Sequence, residues 1–204
     1  MSLTRSSVWR PFFALAALFI MVGGPMHPRG NMAEMLGDHN WVLSHSLMLV
    51  GFLSLLVGLI LYNRGVAAPE RTRRWVRLAA IGTALQAIEM AFHTASVVDH
   101  DNLIAARATP VLTTHMWLAV ALYPIFAALI IGLIIAGARD RSLGSPWISW
   151  LGILGAIAHG AAAPLTVAFH IPWAPMLFPF LLLLALWLLL TALWPSGSGV
   201  LARA

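Results

Sequence analysis

Cysteine and lysine are both missing from this 204-residue chain, and charge of either sign is scarce. Without cysteine there are no disulfides, no thiolate ligands and no thiol chemistry, so any soft metal ligand must be methionine. Without lysine, all formal positive side-chain charge rests on twelve arginines, against seven acidic residues. Charged residues make up 9% of the chain, where a soluble domain carries about 25%. That shortage, with 60% hydrophobic residues, excludes an ordinary soluble domain and predicts an integral membrane protein. The arginines sit in short segments between apolar runs, which speaks against nucleic acid as a partner. The chain also has no phosphate-binding glycine loop and no H-E-x-x-H.

What is present is a series of apolar runs. A helix needs about 20 residues to cross a bilayer, and six runs are expected to do so as one all-α domain over residues 1–204. They are Val8–Gly24, Trp41–Tyr62, Trp75–Val98, Leu112–Ala136, Trp147–Phe169 and Trp173–Trp194. Arg5 and Arg10 stand ahead of the apolar stretch of the first run, and no A-x-A-like cleavage site follows it, so it reads as an uncleaved span.

The connecting segments sort by charge. Arg5 and Arg10, then Arg64, Arg71, Arg73, Arg74 and Arg77, then Arg139 and Arg141, and finally Arg203 fall on one side. The other side holds only Arg29 and Arg107, with Glu34, Asp38, Asp99 and Asp101. The positive-inside rule then puts both termini in the cytoplasm of a cell with an inner or plasma membrane. Trp9, Trp75, Trp147, Trp150 and Trp194 mark one interface, and Trp41, Trp117 and Trp173 the other.

All eight histidines then lie in the outer half or the outer loops, a bias that scattered structural histidines would not show. Met26, Met32, Met35, Met48, Met90, Met116 and Met176 share it. Methionine also fills gaps at helix ends, so its bias has two readings.

An internal repeat is also suggested. Ser44-His45 and Thr114-His115 open two hairpins, and Ala91-Phe92-His93 and Ala168-Phe169-His170 close them. Spans two to five would then form a central four-helix bundle of two related hairpins, the arrangement in which cofactor sites are built. Spans one and six would flank it, the sixth facing lipid.

On the third span Gly82, Gln86, Glu89, His93 and His100 recur at three-, four- and seven-residue intervals, a polar stripe on an apolar helix. Ionisable groups in such a helix face the bundle and mark function. Glu89 is the candidate catalytic or proton-carrying residue. His45, Glu89, His93, His115 and His159 are the candidate metal ligands, with copper favoured because imidazole and thioether both suit it. Haem b is the alternative, held by axial pairs such as His45 with His115 or His93 with His170. His27, His39 and His100 read as loop residues in contact with water, and in the metal reading the segment carrying Met26, His27, Met32, Met35 and His39 is a surface loop that captures or guards the ion.

A carboxylate and a histidine near one helix end, with the histidines outward, resembles haem-handling membrane enzymes. The His27-Pro28 and Asp38-His39 pairs resemble those of nickel/cobalt permeases of the urease and hydrogenase accessory type. Neither extends to a full motif, and no residue is carried over. The absent H-x-x-x-H pairs set the chain apart from membrane di-iron hydroxylases and desaturases.

The expected function is a redox or copper-handling membrane protein. Its partners would be the lipid bilayer, a metal donor, and a quinone or redox partner at the outer face. A metal-ion permease is the rival, and a non-catalytic subunit of a membrane complex or homo-oligomer the third reading.

Overall fold

The computed structural model describes residues 7–194. Arg5 and Arg203, two of the topology markers, lie outside the described residues. The described chain is all helical. Helix α1 spans Arg10–Gly23, α2 Met32–Gly37, α3 Asn40–Gly65 and α4 Glu70–Ala95. A 3-10 turn, Ser96–Asp99, leads to the short α5, His100–Ile104. Then come α6, Pro110–Arg139, and α7, Pro146–Ala163. A π turn over Pro164–Ala168 and a 3-10 segment over Ala174–Phe180 precede α8, Leu181–Leu193.

The starts of these helices are written locally. Pro110 and Pro146 stand in the first turns of α6 and α7, where a missing N–H costs nothing. Ser145 caps α7, accepting from the Ile148 amide. Asp99 is buried and accepts from the Leu112 amide at 2.9 Å, tying the preceding turn to α6. Asn31 and Glu34 cap α2 reciprocally, at 3.1 and 2.9 Å, as a capping box does.

Four helices are long and apolar enough to cross a membrane: α3, α6, α7 with its π turn, and α8 with its 3-10 lead. Helix α1 is apolar but has 14 residues, about 21 Å at the helical rise against ~30 Å of hydrocarbon. Helix α4 has 26 residues but begins among arginines and carries the Gln86–Glu89–His93 stripe, which lowers its hydropathy.

The six longest helices pack in a closed ring, α1–α3–α4–α6–α7–α8 and back to α1. The expected central bundle of spans two to five is corrected by this order. Helices α3 and α7 do not pack side by side, and α1 and α8 close the ring as full members. A two-fold repeat would pack α7 on α3 as extensively as α6 packs on α4, and α7 and α3 have no such packing. The interior is filled by Phe13 and Ile20 of α1, Phe52 of α3, Phe126 and Ile130 of α6, and Trp187 and Leu188 of α8, all buried.

Small residues set the close approaches. A Cβ at Gly152 would meet Ile134 at 2.7 Å and the Trp187 ring at 2.8 Å, and one at Gly155 would strike the Leu184 backbone nitrogen. Helix α8 is therefore seated on α7, with one face in the core. At the arginine-rich end the Thr72 hydroxyl donates to Asp140, joining α4 to the end of α6.

Candidate metal centre

The polar stripe of α4 points into the ring, because Gln86 and Glu89 are fully buried between α3 and α6. A buried carboxylate must be hydrogen-bonded or paired. Glu89 is. Its Oε1 accepts from His115 Nδ1 of α6 at 2.7 Å, and its Oε2 from Gln86 Nε2 at 2.9 Å. The Tyr123 hydroxyl interacts with both Glu89 and Gln86. His93, one turn on, has its Nδ1 3.7 Å from the same Glu89 Oε1, too long for a hydrogen bond.

Four imidazoles follow one another from this carboxylate toward the loop after α1. The His115 and His93 rings stack at 3.8 Å between centroids, His93 and His45 lie tilted at 4.0 Å, and His45 and His27 meet edge to face at 4.8 Å. Trp41 lies against His45 at 4.3 Å, and its indole N–H donates to the His93 carbonyl at 3.3 Å. Trp41, expected at an interface, is buried and serves as one wall of the cluster.

Backbone carbonyls fix two tautomers. A carbonyl only accepts, so His45 Nδ1 donates to Trp41 O at 2.6 Å and His27 Nδ1 to Pro28 O at 2.7 Å. Each then presents its Nε2 lone pair. His45 Nε2 and His93 Nδ1 are buried without a hydrogen-bond partner. An imidazole that donates one N–H to a carbonyl or carboxylate and leaves the other nitrogen free is the usual disposition of a metal ligand. His27 lies in the loop, and burial, the main cause, lowers its pKa from the ordinary imidazole value. That favours the neutral, ligating form.

Two three-residue sets result: His27, His45 and His93, and Glu89, His93 and His115. Within each, the ligand atoms lie within 4.8 Å of one another. Ligands held at about 2.1 Å from one tetrahedral ion are about 3.4 Å apart. Side-chain rotations that shift these atoms by roughly an ångström would close either set.

Of the residues singled out from sequence, the structure brings together His45, Glu89, His93 and His115. His159 stands apart. It is buried on α7, stacked on Tyr123 at 4.2 Å and edge-on to Phe126, with neither nitrogen hydrogen-bonded. His170 is exposed in the loop after the π turn, at φ 52°, away from the cluster. A porphyrin between His45 and His115 would have to displace the His93 ring that lies between them. Two residues were not among the expected ligands. His27, read as a water-exposed loop residue, belongs to the cluster. Tyr123 was not singled out, though it repeats His115 at the eighth position along one face of α6.

The methionines are largely packing. Met48 and Met90 lie in the main core, and Met32, Met35 and Met116 surround Leu36, Trp41 and Leu112. No protein-family model, curated protein or solved structure matches this chain, so side-chain geometry alone carries the functional argument.

Proposed function

We propose that this is a membrane protein that binds a transition-metal ion through His27, His45, Glu89, His93 and His115, with copper the first candidate. What carries the reading is the gathering of His45 and His115, each oriented by a hydrogen bond, and of His93 with its unpaired buried nitrogen, around one buried carboxylate. Apolar surroundings make such unpaired nitrogens costly, and ligation would relieve that cost. Imidazole with carboxylate suits copper, zinc, iron and nickel. The packing roles of the methionines leave imidazole as the main support for copper.

In this reading α1 and α4 join the four apolar helices as spans, since both are members of the same ring. The arginine-rich end is cytoplasmic, in an inner or plasma membrane, and the metal centre opens to the exterior beside α2 and α5. Glu89 supplies negative charge to the ion and orients His115. Below Glu89 the polar contacts pass through Tyr123 to the His159 ring, which lies against Phe126, and Thr83, deeper on α4, donates to its own helix at Ala79. The four imidazoles and Glu89 are gathered near one end of the ring, which favours holding an ion, in handling or in redox exchange with an external donor or quinone, over passage through the membrane.

The test is purification in mild detergent without chelators, followed by metal analysis and an optical spectrum. Stoichiometric copper without a Soret band is expected. A Soret band would replace the reading with haem, and metal-free protein that takes up no added Cu(II) or Zn(II) would sink it.

A further inference from the structure

The two ligand sets share only His93. This has a chemical consequence that rests on the metal-binding reading above. A neutral imidazole offers one lone pair, so His93 can serve one ion at a time unless it loses its remaining N–H. The sets also differ in charge and depth. His27, His45 and His93 form an all-neutral set beside the loop, where His27 is half-buried. Glu89, His93 and His115 form a set with one negative charge, and Glu89 is fully buried. A carboxylate in a low-dielectric site holds a cation more strongly than neutral nitrogens do. The rings adjoin in the order His27, His45, His93, His115, so His93 stands at the junction.

We propose that the cluster is a two-position site for a single divalent ion, with an outer capture position and an inner holding position, and that His93 is the ligand kept during transfer between them. The ion exchanges His27 and His45 for Glu89 and His115. The exchange moves no electron, and the ion's oxidation state is unchanged. The ion rests at the inner position because the carboxylate is there. His27 acts in loading, and Glu89 in retention.

Cu(II) added to the detergent-purified protein tests this, with bound copper counted after gel filtration and its ligands read by electron paramagnetic resonance. The native chain is expected to hold one copper with mixed nitrogen and oxygen ligation. His27→Ala should still reach one copper with that same spectrum, but load measurably more slowly than the native chain. Glu89→Gln, which keeps the side-chain shape, should also bind one copper at saturation, now with nitrogen-only ligation and faster release to a chelator. Elution as a single species identical to the native chain controls for folding. Two coppers per chain would overturn the proposal, as would loss of binding in either variant, since one five-residue site or a single three-residue site would then suffice. Unchanged spectra and rates in both variants would also overturn it. A native chain that binds no copper or zinc would instead remove the metal-binding reading itself.

Discussion

At the residue scale, buried polar groups decide the site. Gln86 Nε2 is one of the donors that hold the Glu89 carboxylate. Gln86→Leu removes it without opening a large cavity, and leaves a buried acceptor short of a partner. That should destabilise the chain by about 1–3 kcal/mol, read as a lower unfolding temperature in detergent. His159 makes the opposite case. Both of its nitrogens are buried without hydrogen bonds, and its ring lies on Tyr123. His159→Leu keeps similar apolar volume and removes those unpaired groups. Stability should stay within about 1.5 kcal/mol of the native value or rise, with the bound copper count unchanged. A lost ion in this variant would show that His159 reaches the site.

At the element scale, glycine and proline on α7 matter most. Gly155 lets α8 approach until the Leu184 backbone nitrogen occupies the space a Cβ would need. A backbone atom cannot swing aside as a side-chain end can. Gly155→Leu should therefore cost at least about 1–3 kcal/mol of stability through overpacking, measured by thermal unfolding, while Leu154→Ala on the exposed face of α7 should change it much less. Pro164 has no N–H for the Gly160 carbonyl. The helix loosens into a π turn, with Phe169 N–H donating to Pro164 O at 3.1 Å, and then ends. This separates two identical triplets. Ala91-Phe92-His93 spans the last turns of a regular helix and delivers His93 to the cluster. Ala168-Phe169-His170 follows a broken one and delivers His170 to the surface. The resemblance of the triplets was legible, but their fates depended on one upstream proline.

At the scale of the whole molecule, the ring gives one end arginines and the other the imidazole column. The proposed orientation has a simple check, because a chain without cysteine offers no background thiol. Asp101→Cys in exposed α5 should react with a membrane-impermeant maleimide on intact cells, and Arg141→Cys should react only after permeabilisation. The reverse pattern would invert the topology and place the metal centre at the cytoplasmic face. Exposure of Asp101 is set by its place beyond the helix ends, with its side chain 90% exposed.

The sequence by itself determined the all-helical membrane character, the approximate helix limits and the stripe that aims Glu89 and His93 inward. Those properties follow from composition and from the 3.6-residue period, which act within a single helix. It also paired His45 and His115 with that stripe, since histidines near equivalent helix ends come to similar depth. Tertiary structure decided which helices are neighbours, and so replaced a four-helix centre with a six-helix ring. It folded His27 back from its loop onto His45, set Tyr123 beside Glu89, and kept His159 and His170 out of the cluster. Depth along a membrane normal can be counted in residues. Rotation about it, and the path of a loop between prolines, depend on side chains from other helices filling or refusing the same space.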